Sequence, residues 1–432
     1  MTPRKLAYDL LQKLEKNQQF SNIALDRALS DSDMTVADKG LCAALLYGVT
    51  ERRLTLDYQI SRLSARPLKE IDMPALTAIR MGLYQLIYMD RIPPHAAINE
   101  SVGLCQKRSA GFVNAILRSF TRDPVIALPD RDTDICKHLS VKHSVCEPLV
   151  KKFIDAYGET RTDSILSAFA GGSDTTISVN TVKISRNELA EKLGDATPTA
   201  FAKSGLRVKG ALRELYGFDS GLFFVQDEAS QLCVETLDAS HGETVMDICS
   251  CPGSKSFGAA IAMKNEGKIF SFDLHAKKLP LIVSGAERLG INIIKTAACD
   301  GRIFLPEFEG RADKVLCDVP CSGFGVLGKK PELRYKDPAE SEALPDIQLA
   351  ILENACRYVK AGGSLVYSTC TVFPEENEEN VKRFLEKHKE FTLSPFKIGE
   401  NSIKEGYITL LPDTYPTDGF FIARLKKTEE TL

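Results

Sequence analysis

From Leu6 to Phe120 the apolar positions recur every three or four residues. Leu6, Leu10, Leu11 and Leu14 form one stripe, Leu41, Ala44, Leu45 and Val49 a second, and Ala78, Met81, Gly82, Tyr84, Gln85 and Tyr88 a third. Such spacing puts apolar side chains on one face of a helix and predicts an all-α first domain over residues 1–125, punctuated by Pro67, Pro74 and Pro93-Pro94. The Pro- and Asp-rich stretch from Arg122 to Asp134 reads as a linker. A small α/β module follows over 135–238, with helices at 147–157, 185–193 and 227–237 and strands at 175–181 and 222–225. Over 239–428 short apolar runs alternate with helical periodicity. Strands are expected at 245–249, 269–272, 293–298, 314–317 and 364–368, with 407–411 and 420–425 pairing as a closing edge hairpin. Alternation of this kind predicts a doubly wound, Rossmann-like sheet.

Composition alters this picture little. A 432-residue chain with 44% hydrophobic and 26% charged residues fits a multidomain soluble protein. No apolar run reaches membrane-spanning length and Met1 to Lys16 lacks the pattern of a signal peptide, so a cytoplasmic monomer without a membrane partner is expected. Twelve cysteines spread over so long a chain point to a reducing compartment. Neither Cys249-x-Cys251 nor Cys317-x3-Cys321 has zinc-knuckle spacing, and no metal is expected. The net charge of −3 hides a basic front. Arg52, Arg53, Arg62, Arg66, Lys107, Arg108 and Arg118 could form a phosphate-binding face or a solvated helix surface.

Chemistry concentrates where three predicted strands end. Asp247-Ile248-Cys249-Ser250-Cys251-Pro252-Gly253-Ser254-Lys255-Ser256 leaves a strand and opens a helix, which brings backbone amides to a ligand. It is neither a P-loop nor a three-glycine dinucleotide loop. Asp273, twenty positions after Gly253, ends the next strand where a carboxylate grips ribose hydroxyls, and Asp300 after the third could orient an adenine amino group. With nothing shaped for a pyrophosphate, S-adenosylmethionine is favoured over NAD. Two further strands end in Asp318-Val319-Pro320-Cys321 and Tyr367-Ser368-Thr369-Cys370. Two thiols at one sheet edge suggest a nucleophile and a helper for adding to an electron-poor ring carbon, with Asp318 as the acid beside them.

In order along the chain, Asp247 to Ser256, Asp318 to Gly323 with Gly325-Val326, Tyr367 to Cys370 followed by Glu376-Asn377-Glu378, and Asp418-Gly419-Phe420-Phe421 resemble the Sun (Fmu) family of RNA cytosine-5 methyltransferases. The front part, through Arg91 to Ala97 and Gly111 to Arg118, resembles a NusB domain. The resemblance implies that Cys370 is the nucleophile and that Cys321 assists release. It implies that Cys249, Ser250, Cys251, Pro252, Gly253, Ser254, Lys255, Asp273, Asp300 and Asp318 bind S-adenosylmethionine, and that the substrate is a cytosine in small-subunit ribosomal RNA. The family's usual Ala and second Gly in the cofactor loop are here Cys251 and Ser254. The competing reading is an RNA-binding or antitermination-type factor with a vestigial methyltransferase domain.

Overall fold

The structure, a computed structural model, describes residues 1–17, 21–30, 33–170 and 175–429. The chain forms two compact units: Met1–Ala170 with Leu327–Pro338, and Gly171–Val326 with Ala339–Leu432. This division cuts the expected middle segment at Ala170.

The first unit is helical, as the periodicity predicts. Its helices are Pro3–Asn17, Ser21–Ser30, Val36–Glu51, Arg53–Leu63, Met73–Tyr88, Pro94–Leu104, Lys107–Arg122, Ile135–His143, Glu147–Tyr157 and Glu159–Ala168. Met73–Tyr88 is the central one, with ten of its residues buried. It begins sharply because Asp72 caps it through Ala75 N and Pro74 stands in its first turn. Gly82 lets it approach Lys107–Arg122: a Cβ there would lie 2.6 Å from the Leu117 side chain. Arg80 is nearly buried, held by both oxygens of Asp57 at 2.7 and 2.8 Å and by Glu15 at 2.8 Å.

Of the candidate phosphate-binding cations, three lie over aromatic rings, Arg66 among them at 5.1 Å from the Phe112 centroid. Arg52 lies over Tyr88, and Arg53 stacks 3.8 Å from the centroid of Tyr335. Arg62, Arg66, Lys107, Arg108 and Arg118 remain exposed.

Residues 327–338 belong to this helical unit although both neighbouring segments belong to the other. Arg334 explains why. Its side chain is fully buried, and its guanidinium donates to the carbonyls of His143 at 2.9 Å and Phe169 at 3.0 Å and to Glu51 at 3.3 Å. The Tyr335 hydroxyl donates to Thr50 O at 2.5 Å and receives the Arg53 amide at 3.1 Å.

The second unit carries two main sheets. β1 (Thr175–Val179), β2 (Thr197–Pro198), β3 (Gly205–Val208) and β4 (Phe223–Val225) form an antiparallel sheet in the order β2-β3-β1-β4. The expected helices beside it are present as Arg186–Leu193, opened by a Ser185–Glu188 capping box, and Glu228–Leu237, capped by Asp227. The larger sheet comprises β5 (Thr244–Asp247), β6 (Lys268–Asp273), β7 (Ile294–Ala298), β8 (Ala312–Asp318), β9 (Val359–Thr369), β10 (Phe391–Leu393) and, beyond the β11 (Phe396–Ile398) and β12 (Asn401–Ile403) hairpin, β13 (Tyr407–Leu410) and β14 (Phe420–Lys427). Its order is β10-β14-β9-β8-β5-β6-β7, with β13 also paired to β14. β5 to β9 are parallel, while β14 runs antiparallel to β9.

The doubly wound expectation holds, with one correction. β13 and β14 do pair, yet β14 is an interior strand with β9 on one side and β10 and β13 on the other. Phe420, Phe421, Ile422 and Ala423 are buried in succession, which an edge strand would not achieve. Chain order reverses between β5 and β8, so a crevice opens at the carboxyl ends of those strands, where open α/β sheets bind ligands.

Arg334→Met retains bulk but leaves two buried carbonyls without their donor. We expect a loss of about 3 kcal/mol, read as a lower midpoint of urea unfolding followed by circular dichroism; an unchanged midpoint would show that those carbonyls find other partners.

Candidate active site

β5 delivers Asp247 to the crevice, and the chain then turns through Ile248–Gly253 into the helix Ser254–Ala262. Ser250 fixes the turn, its amide and hydroxyl both donating to Phe272 O at 2.8 Å. Gly253 is the position that requires glycine: its φ is +109°, and a Cβ would lie 2.7 Å from the Phe257 ring. Ser254 is the first helical residue and lies outside the left-handed region, so the departure from a second glycine strains nothing in the backbone.

Asp273, ending β6, is held by the amides of Cys251 at 3.1 Å and His275 at 2.9 Å. Asp300 follows β7 and is gripped by the Arg302 guanidinium at 2.6 to 3.2 Å. These hydrogen bonds bring its carboxyl down to about 2. Burial, with the Asp273 charge beside it, pushes the Cys251 thiol up to about 12, and burial raises Cys249 further.

The sequence-predicted chemical residues converge on β8 and β9. Asp318 ends β8, and its two oxygens accept from Lys255 Nζ at 2.6 Å and Ser368 Oγ at 2.9 Å. Burial pulls the Lys255 ammonium down, but the adjoining Asp318 carboxylate outweighs it and the lysine stays charged. Lys255 thus joins the loop to the end of β8, a pairing that the sequence reading missed. The Sγ atoms of Cys321 and Cys370 lie 3.2 Å apart, and the Cys370 amide donates to Cys321 Sγ at 3.3 Å. The hydrogen bond to Cys370 together with burial keeps the Cys321 thiol protonated well above the ordinary range. The closing Asp418-Gly419 turn braces this arrangement, since Gly325 N donates to Cys370 O at 2.9 Å and Gly419 N to Gly325 O at 2.7 Å. A Cβ on Gly325 would lie 2.0 Å from the Gly419 carbonyl oxygen, which explains the glycine in both motifs.

Cys356, His388 and Glu390 also approach one another, at the far end of β9. Cys356 Sγ donates to Glu353 O at 3.2 Å and His388 Nδ1 faces Glu390 at 3.1 Å. Cys356 Sγ also lies 3.7 Å from His388 Nδ1, which joins the three.

Fold and site together define a Rossmann-like methyltransferase carrying an all-α NusB domain. The family described as 16S rRNA methyltransferase RsmB/F matches residues 234–426, and the NusB family matches 1–122. A probable ribosomal RNA small subunit methyltransferase B from Bacillus subtilis is 36% identical, covering 98% of each chain. The corresponding Synechocystis protein is 34% identical over 99% of this chain and 100% of its own. The Escherichia coli ribosomal RNA small subunit methyltransferase B is 30% identical over 96% of each. The crystal structure of PH0851 superposes with a TM-score of 0.80 at 26% identity, covering 99% of both chains. A methyltransferase homolog from Pyrococcus horikoshii gives 0.59 at 27%, covering 68% of this chain and 99% of that one. The chain belongs to the ribosomal RNA small subunit methyltransferase B family. No helix among the described residues is long and apolar enough to cross a membrane.

Asp247 supplies a pH test of this buried centre. One of its oxygens accepts from Ser256 Oγ at 2.6 Å while the other has no partner, and burial pushes the carboxyl up to about 7. In the unfolded chain it ionises near the ordinary value of about 4, so between those pH values folding takes up a proton. Its stabilising contribution is complete below about pH 4 and is lost as pH rises to about 7, roughly 4 kcal/mol in all. Asp247→Asn is expected to flatten the fall in unfolding midpoint between pH 4.5 and 7.5; an unaltered slope would assign it to another group.

Proposed function

We propose that the protein methylates carbon 5 of a cytosine in 16S ribosomal RNA through a covalent bond between Cys370 and carbon 6 of the ring. The observation that carries this reading is the pair of thiols 3.2 Å apart beside the Asp318–Lys255 pair. The relatives' names supply the RNA class.

Carbon 5 of cytosine is too poor a nucleophile to attack a methyl donor unaided. Addition of the Cys370 thiolate to carbon 6 pushes electrons on to the ring and makes carbon 5 an enamine carbon. Asp318, held in place by Lys255 Nζ and Ser368 Oγ, would accept a hydrogen bond from the amino edge of the ring, and the Lys255 ammonium beside it would stabilise the charge that develops there. After methylation the carbon 5 proton passes to solvent water, its electron pair re-forms the carbon 5–carbon 6 double bond, and Cys370 leaves as a thiolate, its departure assisted by a hydrogen bond from the Cys321 thiol 3.2 Å away.

S-adenosylmethionine, when bound, supplies the sulfonium methyl group. The residues fit it: the loop turns on a single glycine with no room beside Phe257 for a larger residue, and the buried Asp247 oxygen lacks a partner. Cys249 to Lys255 would line the donor, Asp273 would take its ribose hydroxyls, and Asp300, braced by Arg302, would face its adenine amino group. The target base must leave its stack to reach the thiols.

The test is transfer of labelled methyl to small-subunit ribosomal RNA from cells lacking this gene, followed by mapping of the modified base. A single 5-methylcytosine is expected. Cys370→Ala should abolish transfer, lowering it by more than about 1,000-fold, and Cys321→Ala should leave an RNA–protein adduct that survives denaturing electrophoresis. Full activity of Cys370→Ala would overturn the assignment.

A further inference from the structure

Two buried polar residues beside the thiols have no part in the chemistry above. Glu376 ends the short turn Pro374–Glu376 that follows the Cys370 loop; it is 3% exposed, and Asn377 is fully buried. Glu376 Oε2 accepts the amide of Ser322 at 2.9 Å and Gln348 Nε2 at 2.8 Å, and Gln348 Nε2 also donates to Pro320 O at 3.0 Å. Both neighbours of Cys321 are therefore tied to Glu376, one directly and one through Gln348. Asn377 does the same for the other thiol. Its Oδ1 accepts from Thr369 Oγ1 at 2.6 Å, and its Nδ2 donates to Thr371 O at 3.2 Å. Ser322 Oγ and Thr371 Oγ1, 2.9 Å apart, close the frame.

We propose that Glu376 and Asn377 are positioning residues that together set the spacing of the two cysteines, each holding the residues on either side of one thiol. The inference rests on the covalent reading of the site. Successive residues of one turn hold two loops that are 49 positions apart in sequence, so neither loop can drift without breaking the frame. A neutral isostere would have framed the backbone equally well, and the choice of a carboxylate has a consequence of its own. Its two donors, an amide N–H and a glutamine, leave its charge uncancelled, and that charge adds to the pressure holding Cys321 as a thiol. The nearby thiol that must not attack carbon 6 is thereby kept protonated while Cys370 reacts.

Thiol chemistry tests this without methyl transfer. Alkylation of each cysteine by iodoacetamide, followed by peptide mass spectrometry across pH 6 to 10, reports the ionisation of each sulfur. In Glu376→Gln the carboxamide oxygen still accepts from Ser322 N but the charge is gone. We expect Cys321 alkylation at pH 8 to rise about tenfold, with an unfolding midpoint near that of the unmodified protein. Asn377→Asp keeps the acceptor for Thr369 and loses the donor to Thr371; cross-linking of Cys321 to Cys370 by diamide should slow several-fold. Unchanged Cys321 alkylation in a folded Glu376→Gln protein would overturn the charge role, and unchanged cross-linking in Asn377→Asp would overturn the frame. If the thiol profiles shift as expected but the unmodified protein methylates no cytosine, the frame stands and the cytosine reading fails.

Discussion

The Lys255–Asp318 ion pair is the interaction on which the rest of the site depends. It joins the helix that opens after the β5 loop to the end of β8, and through Ser368 to β9, so three strand ends share one charged contact. Taking the Lys255 ammonium out of water costs several kcal/mol, and the attraction of the partly exposed Asp318 does little better than offset it. A pair of apolar residues would hold the strands as well. What the ion pair provides instead is a positive and a negative charge held 2.6 Å apart at the strand ends, beside the two thiols, where the proposed chemistry calls for both. The neighbouring groups are sensitive to one another: burial raises the Asp247 carboxyl and the Cys249 thiol, and the hydrogen bond to Cys370, with burial, raises Cys321.

Parallel strand order does the gathering. In a doubly wound sheet, side chains far apart in sequence reach one edge because every crossover returns the chain to the same end. Asp247, Asp273, Asp318 and Cys370 each lie at or just past such a strand end. Their spacing along the chain and their proximity in space follow from one topological rule, and this is what made the strand ends legible. Short apolar runs ending in Asp or Cys gave the edge, and the motif glycines gave the turns. The interior placement of β14 was not legible, because two apolar runs joined by a Pro- and Asp-rich turn read as a hairpin whether or not another strand covers one of them.

What the sequence concealed is mostly pairing. Lys255 read as part of a ligand loop, and nothing in its neighbours announces that its ammonium crosses to Asp318, 63 positions away. Glu376 and Asn377 were visible only as a fitting motif, since their partners lie on two other loops. Arg302 is different: a basic side chain two residues after a strand-end Asp is a local signal, and the pairing with Asp300 could have been anticipated from it. Arg334 was hidden for a compositional reason. Arg334 follows the basic pair Lys329-Lys330, and arginine is among the residues least often fully buried unless its donors are met.

The loop that carries Cys321 is held within its own unit. On one side Gly325 N donates to Cys370 O and Gly325 O accepts from Gly419 N. On its other side the loop is fixed by Glu376 through Ser322. A segment restrained at both ends pays little conformational entropy when a substrate arrives, whereas a free loop of this length would pay about 1 to 2 kcal/mol for each residue it orders. Glycine at 323 and 325 would make such a loop mobile if its ends were free, and both are needed here for conformation and close approach. The anchors therefore offset the freedom that the glycines introduce, and the position of Cys321 owes as much to residues that never touch a substrate as to the thiol itself.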